Sequence, residues 1–163
     1  MVAVTRIHQD FDGYAAGSIE TAERYVRERI GELVNGLAAK IRHCSVKARE
    51  NGRIKLLSEI EPLRNRIEKI QRRMTESESI YFPPHIRQGM AKVDDAAVRE
   101  CDRKIEMSLN SCSEIADSLT CAESDTHIIE RFSAMAGYLR KFETLYAERR
   151  MALKKEKRIN YFI

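Results

Sequence analysis

Apolar residues recur three and four positions apart along four separate stretches of the chain. Val26, Ile30, Leu33, Leu37, Ile41 and Cys44 form the first stripe. Ile60, Leu63, Ile67, Ile70 and Met74 form the second, and Val98, Cys101, Ile105, Leu109, Cys112, Ile115 and Leu119 the third. Ile128, Phe132, Met135, Leu139, Phe142, Tyr146 and Leu153 form the fourth. That stride puts each set on one side of an α-helix, and sides of that kind are stable only when buried against one another. The pattern predicts an all-α chain: an antiparallel four-helix bundle, or paired long helical hairpins with coiled-coil-like packing.

Punctuation between the stripes sets the expected boundaries. Ser18 can cap the first helix, because its hydroxyl can accept from a free N–H of the opening turn. Asn51-Gly52 offers a left-handed stop after Glu50. The stripe ends there too: counting in sevens from Ile30 through Leu37 and Cys44 lands on polar Asn51 and Ser58. Ser58-x-x-Glu61 followed by Pro62 reads as a capping box, so the second helix is expected to begin or bend near Ser58 and to end near Ser77. Residues 77–94 contain Pro83-Pro84 and read as a long loop that carries the apolar cluster Ile80, Tyr81 and Phe82. Asp94 or Asp95 is expected to cap a third helix running to about Thr120. Ser124, Asp125 or Thr126 is expected to cap a fourth, running to about Arg158. Short links within the first and last pairs make each pair antiparallel neighbours. Residues 1–17 form an N-terminal arm and 159–163 a C-terminal tail of a single 163-residue domain.

Composition changes this picture little. Charged residues make up 33% and hydrophobic residues 43%, a split that suits helices with solvated outer faces. The net charge of +4 is only mildly basic. The opening MVAVTRIHQDFD is too polar for a signal peptide and no apolar run approaches a membrane span, so a cytoplasmic protein is expected. The four cysteines, at 44, 101, 112 and 121, form no CxxC pair. Cys44, Cys101 and Cys112 fall on apolar stripes, where a thiol behaves as a small hydrophobe. Were 101 to 112 one helix, its two sulfurs would stand about 16 Å apart and could not bridge.

Candidate chemistry is sparse. His8-Gln9-Asp10-Phe11-Asp12-Gly13 follows the one strand-like run, Val2 to Ile7. This segment resembles the first metal-binding motif of the DHH phosphoesterases. The resemblance implies a divalent metal held by His8, Asp10 and Asp12 at the end of a strand, covering under a tenth of the chain. No Asp-His-His triplet accompanies it, and the pattern offers no partner strands for the sheet that such a site needs. The residues themselves read as a turn that starts a helix. Paired Glu-x-x-His motifs for a di-metal bundle are missing, as are phosphate-binding glycine loops, so no metal and no cofactor are expected.

Contact with another protein is the expectation that remains. The chain ends Ile159-Asn160-Tyr161-Phe162-Ile163, large apolar side chains where termini are usually polar. Ile159, Tyr161, Phe162 and Ile163, with Tyr81 and Phe82, are therefore the expected partner-binding residues of a non-enzymatic adaptor, assembly subunit or chaperone-like module, with homo-oligomerisation open to it. Arg149, Arg150, Lys154, Lys155 and Arg158 crowd the end of the fourth helix and give an alternative, a nucleic-acid accessory subunit that contacts phosphates. A helix C-terminus also favours positive charge without any ligand. Arg64, Arg66, Lys69, Arg72 and Arg73, interleaved with Glu61, Glu68 and Glu76, read as a solvated ion-pair face on the second helix.

Overall fold

The computed structural model describes residues 19–76, 95–119 and 124–154. They form four α-helices: α1 Ile19–Glu50, α2 Ile54–Glu76, α3 Asp95–Ser118 and α4 Asp125–Lys154. The strand-like run 2–7, the Ser18 cap and the Pro83-Pro84 loop lie outside the described residues.

The helices pack as two hairpins laid side by side. Helix α1 touches α2 and α3, and α4 touches α2 and α3, which closes a ring in the order α1, α2, α4, α3. Cross-helix bonds fix the directions. Gln71 donates to Asn35 near one end of the first hairpin, while Ala48 and Leu56 meet at the other, so α1 and α2 are antiparallel. Cys112 donates to the Met135 carbonyl and Arg131 to Ser118, so α3 and α4 are antiparallel as well. Between hairpins the neighbours run parallel. Lys40 of α1 reaches Asp117 of α3, Arg53 of α2 pairs with Asp125 of α4, and Arg66 further along α2 pairs with Glu143.

The expected stripes supply the core. Val26, Ile30, Leu37 and Ile41 meet Ile60, Leu63, Ile67 and Ile70 from α2, Ile105, Leu109 and Cys112 from α3, and Phe132, Met135, Leu139 and Phe142 from α4. Each large side chain removed from water in this way contributes about 1.5–3 kcal/mol. Cys44 and Cys101 are only half-buried, so of the three stripe thiols Cys112 alone is a full core residue.

The turn between α1 and α2 follows from Gly52. It takes φ +64°, which a side chain disfavours. The Arg53 N–H then bonds back to the Ala48 carbonyl and the Gly52 N–H to that of Arg49, closing α1 with a Schellman stop. The Arg53 carbonyl immediately accepts from Leu56 and Leu57 and opens α2. Of the two readings at Ser58, a start or a bend after a lead-in from Arg53, this overturns the start. The Ser58 hydroxyl donates to the Lys55 carbonyl inside the helix instead of capping it, and Pro62 is accommodated as an exposed interior residue. Ser124 does cap α4: its hydroxyl accepts from His127 N–H, and its carbonyl from Ile128 N–H.

Candidate interaction surface and the charged core layer

All six expected partner-binding residues, Ile159, Tyr161, Phe162, Ile163, Tyr81 and Phe82, lie outside the described residues. So do His8, Asp10, Asp12, Lys155 and Arg158, and Lys154 is described only as the last residue of α4. Among the described residues, no group of three His, Cys, Asp or Glu side chains could hold a metal ion.

Arg149 and Arg150 are both placed, and they part company. Arg150 is half-buried at the surface. Arg149 is wholly buried, which corrects its assignment to an exposed basic group that meets phosphate. Its Nε donates to Asp102 Oδ1 at 2.5 Å, and its Nη1 lies 3.4 Å from Glu23 Oε1. The side chains of Asp102 and Glu23 are 0% and 5% exposed. Three helices thus contribute one charge each to a single layer of the core. Such a layer holds only as a set, because desolvating any one of these charges alone costs several kcal/mol.

A signal for this layer was present in the sequence. The α4 stripe steps by four and three from Ile128 to Tyr146, skips 149 and resumes at Leu153. Position 149 is the next step. In α3, Asp102 stands four after Val98 and three before Ile105. In α1, Glu23 stands seven before Ile30. Three stripes each carry one charged residue on a core position, two acidic and one basic.

Several ion pairs lie on the surface outside this layer. Arg64 pairs with Glu61 and Glu68 along α2, as the ion-pair face anticipated. Arg66 and Arg73 instead both reach Glu143 of α4, so that face also joins the two hairpins. On α3, hydrogen bonds from Arg103 and then Lys104 hold the exposed Glu100 carboxyl down at about 2. Burial pushes the Cys112 thiol up to about 12, and burial ahead of the Glu148 charge raises that of Cys101. Neither is poised as a nucleophile.

The described residues also form concavities. An apolar cleft of about 40 Å³ opens at the hairpin-turn end, lined by Cys44, Ala48, Leu56, Ile60, Leu119, Ile128 and Phe132, with Lys47, Asn51 and Arg53 also in its wall. A groove of about 270 Å³ between α1 and α2 is lined by the polar residues Arg27, Glu28, Asn35, Gln71 and Thr75 together with Gly31, Val34 and Met74. The outer faces retain several large apolar side chains: Ile54 is 77% exposed, Met151 61% and Met107 57%, followed by Val46 and Tyr138. No family model, curated protein or solved structure matches the chain. No helix among the described residues is long and apolar enough to cross a membrane.

Proposed function

We propose that the chain is a non-enzymatic, cytoplasmic protein-interaction module, an adaptor or assembly subunit that works by burying apolar surface in a partner. The observation that carries this is the solvent exposure of Ile54, Met107 and Met151 on helices whose inward faces already fill a core. Thioethers adapt to irregular partner surfaces and recur at binding faces. The apolar terminal residues Ile159, Tyr161, Phe162 and Ile163 add to the same reading, as do Tyr81 and Phe82. The phosphate-binding alternative loses support, since Arg149 is committed to two carboxylates in the core.

Two variants test the proposal in the full chain. The first carries Ile54→Ser, Met107→Ser and Met151→Ser, and the second lacks 159–163. Exposed sites of this kind change stability by about 0.5 kcal/mol or less each. Both variants are expected to melt near the parent and at least one to lose co-purifying protein, with parental binding barely altered by added salt. Undiminished capture by both would refute the proposal. Steep loss of binding with salt would favour phosphate contacts instead.

A further inference from the structure

The charged layer does something that the apolar stripes cannot. Helix α4 is the least amphipathic of the four. Besides its buried residues it carries exposed Tyr138 and Met151 and half-buried Tyr146. The stripe sets its inner face, but these outer apolar groups reduce the contrast between that face and the rest of the helix. Its stripe also repeats in sevens, so a slip of one heptad, about 10 Å, keeps apolar groups opposed to apolar groups. In that slipped register Phe142 or Glu156 would replace Arg149 opposite Asp102, taking the guanidinium away from both buried carboxylates. Only the observed register brings the one fully buried cation among the described residues to the buried acids of α1 and α3.

We propose that Glu23, Asp102 and Arg149 form a register lock. The layer selects one facing and one register of α4 against α1 and α3, and contributes specificity in place of net stability. Buried polar groups on heptad positions are known to act in this sense in coiled coils, and replacing buried ion triads by apolar groups of similar volume can leave stability equal or higher.

The test compares the parent with the triple variant E23L/D102L/R149M and with Arg149→Lys, which keeps a cation. Amide and methyl NMR spectra, sedimentation and urea unfolding are recorded for each. The triple variant is expected to unfold at an equal or higher urea midpoint while showing two or more sets of resonances, or a changed oligomeric state. Arg149→Lys is expected to keep one set, even at a lower midpoint. The lock is overturned if the triple variant retains a single set of resonances with the parental contacts between the Cys112 and Met135 regions. It is overturned equally if the triple variant unfolds at a lower midpoint or fails to fold, since the layer would then be a net stabiliser, or if Arg149→Lys shows multiple sets.

Discussion

Replacing Arg149 alone by Met removes the cation and leaves both acids behind. The side chains of Asp102 and Glu23 are 0% and 5% exposed, so water cannot take the place of the guanidinium without opening the core. Breaking a buried pair from one side costs about 3–5 kcal/mol. The methionine fills most of the space left by the arginine stem, so the added cavity cost is small. We expect a loss of about 3–4 kcal/mol, a large part of the 5–15 kcal/mol typical of a domain. At this chain length that corresponds to a fall in Tm of about 6–16 °C. Urea unfolding followed by circular dichroism at 222 nm measures it directly. With a slope of about 2 kcal/mol/M, the midpoint drops by about 1.5–2 M. Arg150→Met is the control, since Arg150 itself is only half-buried and makes no ion pair among the described residues; it should cost about 0.5 kcal/mol or less. Equal losses at 149 and 150, or a loss under 1 kcal/mol at 149, would refute the burial of Arg149 as the source of the effect.

Further expectations follow from single features. Pro62→Ala restores an N–H inside α2 at an exposed position, so the helix should gain about 1–3 kcal/mol; an unchanged or lower Tm would contradict the helical placement of Pro62. The Glu100 carboxyl, held at about 2 by Arg103 and Lys104, should titrate by NMR well below 4. Because its folded value is depressed, its contribution to stability is present above about 4.5 and fades as pH falls toward 2, and added salt should weaken it. An ordinary midpoint would show that these ion pairs do not persist in solution. For Cys112, whose thiol is raised to about 12, the sign is opposite: its contribution is complete below about 9 and is lost as pH rises through 12. At pH 8 its alkylation, followed peptide by peptide, should be slower than that of the half-buried Cys44 by at least 100-fold, an order-of-magnitude figure set by the opening free energy. Comparable rates would place Cys112 outside the core.

The helices were legible because burial imposes a period that a single sequence records. Val26, Ile30, Ile67, Leu109 and Phe132 were identified as core by spacing alone and are core. Gly52 was legible for an equally local reason, the cost of φ +64° to any side chain. The start of α2 was misread because Ser58-x-x-Glu61 and Pro62 carry the local marks of a helix beginning, while Arg53, which opens the helix, does so through its backbone carbonyl and leaves no mark in side-chain type. Arg149 was misread because composition near a chain end suggests solvent. Only the heptad position of 149, taken together with 102 and 23, reveals a charged core layer. The partners within each hairpin were legible from the short links, and they are neighbours; how the two hairpins sit against each other was not. The 18-residue stretch 77–94 is long enough to join α2 to an adjacent or a diagonal α3, so loop length left both ring orders open.

Neighbour order is what the inter-hairpin ion pairs depend on, and cross-linking measures it most directly. A cysteine pair at Lys40 and Asp117, which meet between parallel α1 and α3, is compared with a pair at the exposed Asn65 of α2 and Met107 of α3. Each is treated with a short bifunctional maleimide, with the parent as the background for its native thiols. The expected result is efficient intramolecular linkage of the 40/117 pair and none above background for 65/107. Linkage of 65/107 with none at 40/117 would place α3 beside α2, break the ring described above and separate the pairs Lys40–Asp117, Arg53–Asp125 and Arg66–Glu143.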